Sequence, residues 1–456
     1  MKKMFLAALA VACSLCLGTA QNITGDWYGK LDVNMSKLTM VFHISHSGDG
    51  YVTVMDSPDQ GAKGLPTSST TFSDGELVVT ASALGMKYEG RLVGDRLEGT
   101  FSQGGFSAPL EFSRDAMTRN RPQTPQPPYP YRAEEVVFEN EAAGIALAGT
   151  LTLPQGDGPF PAAVLISGSG AQNRDEELMG HKPFLVLADY LTRQGIAVLR
   201  YDDRGVGGSG GDYASASIQD FATDAESALE YLFSRDDMDH GRVGLIGHSE
   251  GGSLVYMIAG SRDDVAFIVS MAGPTVLGYD ALSEQRRLLN EAFGGTEETY
   301  RQNEMLVKRI NDMIDADSPE YVMENLDSLT LDMMPSYLRG DAQAVAQCRE
   351  AIKGALSPEI ISLQRYDPTA DIGRIGCPIL AIVGEKDLQV PASVSVVPLE
   401  GKVREGTPLT TVIYPDLNHL FQHAGTGLPT EYVEIEETVS LQVMEDMAEW
   451  IRGLWK

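Results

Sequence analysis

Basic residues are scarce in this chain: 35 lysines and arginines stand against 64 aspartates and glutamates over 456 residues, a formal net charge of −29 at pH 7. Phosphate-rich partners would be repelled, which argues against nucleic acid or an anionic membrane as the target. An acidic surface that keeps an exported protein soluble accounts for the charge. Cysteine is scarcer still. Of the four, Cys13 and Cys16 lie in an apolar leader, leaving Cys348 and Cys377, too few for a disulfide framework. They are read as free thiols, although export would permit a bond. Zinc-spaced Cys/His clusters and acidic calcium loops are missing, so neither a metal nor a cofactor is expected. Beyond the leader no run is long and apolar enough to cross a bilayer.

The leader itself is distinctive. Lys2 and Lys3 precede an apolar run from Phe5 to Leu17, and Gly18-Thr19-Ala20 supplies small residues for cleavage. Residues 1–20 are expected to be a signal peptide removed after Ala20, placing the mature protein in the periplasm or outside the cell. Cys13 after Ala12 leaves lipoprotein anchoring as the lesser alternative. The apolar fraction, 43%, and the charged fraction, 22%, suit a globular chain long enough for more than one domain.

Three regions follow. Residues 21–115 carry short alternating runs such as Leu38 to Ile44 and Tyr51 to Val54, broken by Gly, Asp and Ser. This spacing predicts a small antiparallel domain, a barrel or a sandwich. Residues 116–132 include a proline-rich stretch, Arg121 to Pro130, expected to be an extended linker. From 133 to 456 apolar strands such as Ala162 to Ile166, Ile196 to Tyr201 and Ile379 to Val383 alternate with helical patterns over 183–193, 218–233 and 439–455. An α/β fold with a largely parallel sheet is expected there. Residues 275–365 lack apolar strands and show amphipathic spacing, predicting a helical cap above the strands' carboxyl ends. Met305, Leu306 and Met313 fall on its apolar stripe, facing either the cap's own core or a pocket. Such a cap would shape substrate choice rather than chemistry.

The chemistry-bearing signal is Gly247-His248-Ser249-Glu250-Gly251, a Gly-x-Ser-x-Gly turn between an apolar strand and a helical stretch. Glycines two residues either side let strand and helix approach while the serine takes strained backbone angles. A serine needs a base, and the base an orienting carboxylate. Only His419 and His423 follow Ser249. His419, on the loop after the last strand, is the candidate base, and Asp387, past the exit turn of Ile379 to Val383, the candidate acid, with Glu385 its competitor. Oxyanion donors are expected from the backbone N–H of Glu250 and of Ser169 in the glycine-rich loop Ser167 to Gly170, with Gly170 as the alternative to Ser169. Asp202-Asp203-Arg204-Gly205 reads as a turn pinned by an Asp–Arg pair. His181, His240, His43 and His46 show no partners in the sequence, and His248 reads as a support for the turn.

These motifs, together with Ile166 to Glu176, Tyr201 to Gly207, Gly384 to Asp387 and Asn418-His419, resemble those of bacterial α/β-hydrolase carboxylesterases of the esterase D type. More loosely, the chain is similar to dienelactone hydrolase and prolyl oligopeptidase-like enzymes. The likeness extends over residues 135–456 and to a small β domain ahead of them. It implies an α/β-hydrolase fold and cofactor-free hydrolysis of small-molecule, short-chain esters. A serine peptidase or acyltransferase could use the same triad, and a carbohydrate- or lipid-binding protein on an inactive scaffold is the reading from another class.

Overall fold

A computed structural model describes residues 22–33, 37–48, 50–58, 62–115, 120–334 and 339–456. The expected leader, 1–20, lies outside the described residues, as do 116–119 of the expected linker. The chain divides into two compact units, 1–118 and 119–456.

In the first unit nine strands are described: β1 (Gly25–Asp32), β2 (Lys37–Ser47), β3 (Gly50–Ser57), β4 (Ala62–Pro66), β5 (Ser69–Ser73), β6 (Glu76–Ala81), β7 (Met86–Val93), β8 (Arg96–Gln103) and β9 (Phe106–Ser113). All pair antiparallel, in the order β4-β3-β2-β1-β9-β8-β7-β6-β5. Alternation decides which face is buried; on β6, Leu77, Val79 and Ala81 point inward. The sheet curls. Thr70 on β5 and Thr53 on β3, near opposite ends of the order, share a 2.8 Å hydroxyl hydrogen bond. Of the two expected forms, the unit is an open barrel. Its core is aromatic: Phe42 stacks on Phe112 at 4.4 Å, with Tyr88 edge-on to both.

The second unit is built on an eight-stranded sheet. β10 (Arg132–Asn140) and β11 (Ile145–Leu153) form a hairpin, followed by β12 (Phe160–Ile166), β13 (Ala197–Tyr201), β14 (Met238–His248), β15 (Ile268–Met271), β16 (Ile379–Gly384) and β17 (Leu409–Tyr414). The order is β10-β11-β13-β12-β14-β15-β16-β17, parallel from β13 onward. β13 and β16 are buried at every position, as strands covered on both faces must be. Helices α1 (Pro183–Arg193), α2 (Ile218–Phe233), α3 (Glu250–Ser261) and, at the end of the chain, a helix over Leu441–Gly453 cover the sheet. The chain reverses direction across the sheet at β12, and the loops after β12, β14, β16 and β17 all leave from carboxyl ends. This is the α/β-hydrolase fold.

Between β15 and β16 lies the helical insertion: α4 (Gly278–Ala292), α5 (Glu297–Asp317), α6 (Pro319–Glu324), α7 (Leu326–Met333), α8 (Ala342–Ala355), α9 (Pro358–Arg365) and α10 (Thr369–Ile372). It has a core of its own around Ile310, Ile314, Val322 and Ile352, on which Leu306 and Met313 pack. Met305 belongs to neither core nor pocket; it is 63% exposed. The proline-rich stretch is not a free spacer either. Arg121 donates to the carbonyls of Met179, Val433 and Ile435, and Gln123 bonds both Thr438 and Val439. Two polar side chains among the prolines find backbone partners far along the chain, which composition does not reveal.

Candidate active site

The turn from β14 into α3 places Ser249 at φ 55° and ψ −115°, a region that costs a non-glycine residue about 1–3 kcal/mol. The flanking glycines make the turn possible. A Cβ on Gly247 would lie 2.0 Å from the Gly251 carbonyl oxygen, and one on Gly251 would lie 2.2 Å from that of Ile166. Strand and helix therefore touch backbone to backbone, and the Ser249 N–H is anchored on the Met271 carbonyl at 2.8 Å.

Two strands further along the sheet, the loop after β16 holds Asp387, 2% exposed. Its Oδ1 accepts the Gln389 and Val390 amides, each at 2.8 Å. Its Oδ2 faces His419 Nδ1 at 2.8 Å, His419 being carried by the loop after β17. Ser249 and His419 line one cavity of about 340 Å³, together with Leu282, Ile360 and Leu363 from the cap. Ser249 Oγ forms no hydrogen bond among the described residues, a looseness common in unliganded sites. The competitors lie elsewhere: Glu385 is exposed and accepts the Asp416 amide at 3.3 Å, and His423 is paired at the surface with Glu437.

The loop after β12 lies against the turn. A Cβ on Gly168 would stand 3.2 Å from that of Ser249. Alternate amides of this loop are each held by a different carboxylate. Gly168 N–H donates to Glu176 at 2.9 Å, Gly170 N–H to Glu359 at 3.0 Å and Gln172 N–H to Asp203 at 2.8 Å, while the Ser167 hydroxyl also donates to Asp203. The Ser169 and Glu250 amides have no acceptor among the described residues. The Gly170 amide is engaged, so of the two loop donors considered only Ser169 remains free.

The reading of His248 as a support holds, but its partner Glu176 and its reach to the base were not legible in the sequence. His248 bridges Glu176, at 2.9 Å, and the His419 carbonyl, at 3.0 Å, with its ring 4.8 Å from that of His419. Burial disfavours its protonation, but the Glu176 carboxylate, with the His419 carbonyl and Asp387, outweighs burial and holds its pKa above the usual histidine value. Both residues sit inside quoted motifs; their adjacency to the loop glycines and the serine was the available signal. Burial pushes the Asp203 carboxyl up to about 7, aided by Glu176 and Asp224 against the donors from Gln172 and Ser167. Glu250, 4% exposed, is raised well above the carboxylate range by burial, then by Glu359 and Asp203.

The turn at Asp202-Asp203-Arg204 is held by Asp–Arg pairs as expected, with partners from outside it: Arg204 binds Asp224 through two nitrogens, Asp202 takes Arg174, and Asp203 serves the loop. Neighbours on an extended segment point to opposite sides, which sends each to a different partner. His181 is fully buried with partners at Thr438, the Tyr432 carbonyl and Gln422, and His43 lies between Asp26 and Asp56. The described residues contain no group of three or more His, Cys, Asp or Glu placed to hold a metal ion. Cys348 and Cys377 are both free.

Comparison with known proteins follows this geometry. The family model for X-Pro dipeptidyl-peptidase (S15 family) matches residues 143–395, more than half of the chain. Esterase EstD of Thermotoga maritima is a homologue, 27% identical over 323 residues that make up 70% of this chain and 69% of that one. Dipeptidyl-peptidase 5 of Porphyromonas gingivalis is 24% identical over 270 residues, 57% of this chain but 30% of that one. Among solved structures, Est1E of Butyrivibrio proteoclasticus, bound to ferulic acid, aligns at 15% identity over 70% of this chain and 98% of that one, with a TM-score of 0.43. This chain is a hydrolase on the α/β-hydrolase fold and belongs to the X-Pro dipeptidyl-peptidase (S15) family.

Proposed function

We propose that the protein is an exported serine carboxylesterase that hydrolyses short-chain esters through an acyl-enzyme on Ser249. The observation carrying this reading is the buried Asp387–His419 hydrogen bond at the edge of the cavity that contains Ser249. In the proposed cycle His419 Nε2 takes the Ser249 proton as Oγ attacks the ester carbonyl. Asp387 keeps the other imidazole proton on Nδ1, and the Glu250 and Ser169 amides receive the oxyanion. The alcohol leaves with the proton from His419, and water then repeats the sequence on the acyl-enzyme. A cavity of about 340 Å³ bounded by Leu282, Ile360 and Leu363 suits a short acyl group. Homology to esterase EstD supports the ester substrate.

The test is hydrolysis of p-nitrophenyl acetate by the mature protein and by Ser249→Ala. Loss of a triad nucleophile costs on the order of 10⁶ in turnover. Wild-type activity in a normally folded variant would exclude the mechanism, and no turnover of any acyl ester by the wild type would favour a binding role. The family match and the likeness to a dipeptidyl-peptidase support one second reading, cleavage of peptide amides. An aminoacyl-prolyl p-nitroanilide hydrolysed faster than every ester would favour it. Export is tested by the N-terminus of the mature protein, expected at Gln21; a lipid-modified Cys13 would indicate anchoring instead.

A further inference from the structure

The loop between Ser167 and Gln172 is irregular, and Gly170 sits at φ 88°, so its shape depends on what holds it. Glu176 and Asp203 belong to the hydrolase core. Glu359 does not: it lies on α9 of the cap, 189 residues from the Gly170 amide it accepts. It is only 9% exposed and is met by the Tyr213 hydroxyl. Its helix is tied down independently, because the Ile218 N–H at the start of α2 donates to Ser362 at 3.0 Å. The residue after Glu359, Ile360, and Leu363 one turn on line the cavity holding Ser249. Two turns of one cap helix thus meet both the acyl pocket and the oxyanion loop.

We propose that Glu359 is a positioning residue which, by holding the Gly170 amide, turns the Ser169 amide toward the reacting carbonyl and couples the seating of α9 to chemistry. The inference rests on the reading of Ser249 as nucleophile. A cap that only bounded the pocket would leave chemistry intact when removed; a cap carrying Glu359 would not, which reverses the expectation drawn from the sequence. The needed feature is an acceptor atom, not a charge. A carboxylate near a developing oxyanion opposes it, and the neighbouring Glu250 carboxyl is already displaced toward its neutral form by burial and by Glu359. Glutamine keeps an acceptor at the same reach and loses the charge.

The experiment measures kcat and KM for p-nitrophenyl acetate, inhibition by a trifluoromethyl ketone that forms a tetrahedral adduct on serine, and thermal melting, for Glu359→Ala, Glu359→Gln and Tyr213→Phe. Glu359→Ala is expected to lower kcat by about tenfold to a hundredfold, less than the roughly 10²–10³ of deleting an oxyanion donor outright. KM should stay within about twofold, and the ketone should weaken in parallel with kcat. Glu359→Gln should recover kcat to within about threefold of wild type, and Tyr213→Phe should show a smaller loss of the same kind, in kcat alone. If Glu359→Ala does not fold, Tyr213→Phe decides with the same readouts. The proposal is overturned by a wild-type kcat in Glu359→Ala, by a raised KM at unchanged kcat, or by Glu359→Gln failing as badly as alanine. If Ser249→Ala keeps its activity, the underlying reading has failed instead; if it is dead while Glu359→Ala turns over normally, only this inference falls.

Discussion

Asp387→Asn should silence the enzyme without unfolding it, and the reason lies in which oxygen faces which donor. Oδ1 accepts two backbone amides, Gln389 and Val390, and Oδ2 accepts His419 Nδ1–H. An asparagine side chain has one oxygen. Two buried N–H groups left unpaired would cost about 1–3 kcal/mol each, so that oxygen must stay with Gln389 and Val390. The amide NH₂ then faces His419 Nδ1, which has to become the acceptor. The imidazole proton moves to Nε2, the nitrogen that should receive the Ser249 proton, and the base is lost. Forcing this tautomer costs on the order of 10⁴ in kcat, or about 5.5 kcal/mol of barrier. Melting should be little changed because the backbone hydrogen bonds survive. Asp387→Ala, by contrast, should be both inactive and less stable. The exposed Glu385, whose carboxylate accepts the Asp416 amide, should tolerate glutamine within a few-fold. Initial rates on p-nitrophenyl acetate and melting curves for the three variants decide the matter. Activity within tenfold of wild type in Asp387→Asn, or greater damage from Glu385→Gln, would refute this assignment of the acid.

Gly247→Ala should prevent folding or cost well over the ~3 kcal/mol of ordinary overpacking, because its Cβ would need the space of the Gly251 carbonyl; a soluble variant melting near wild type would disprove the close approach. Asp203, with its carboxyl raised to about 7, is protonated in the fold while the unfolded chain ionises near 3.8, so native stability falls as pH rises between those values. Asp203→Asn should therefore gain relative to wild type as pH rises from 5 to 7 and level off above, by about 3 kcal/mol in all, and parallel melting curves for the two proteins across that range would contradict it. Leu363→Ala should extend the acyl-length optimum on a p-nitrophenyl ester series, since it removes one wall of the cavity; an unchanged profile would show that the acyl group lies elsewhere.

Much of the hydrolase unit was written in local pattern. Continuous apolar runs at 162–166 and 379–383 can satisfy water-shy side chains on both faces only inside a covered sheet, and β12 and β16 occupy them. The amphipathic periods at 183–193 and 218–233 coincide with α1 and α2, the second opened by a Ser217–Asp220 capping box. Glycines at 247 and 251 around a serine already imply a turn too tight for any side chain at those places. What the tertiary structure alone decided involves partners distant in the chain. Alternation along the first unit predicted strands but not whether they close, which depends on Thr70 reaching Thr53. Helical spacing placed Met305, Leu306 and Met313 on one stripe, yet the packing of α5 covers the last two and leaves the first in solvent. Arg204 meets Asp224 rather than its own neighbours, and Gly170 meets Glu359 of the cap. Period and turn chemistry depend on residues a few positions apart, and so can be read along a chain. The pairing of buried charges depends on which surfaces the finished fold brings together, and that is settled only when the cap, the sheet and the loops are packed.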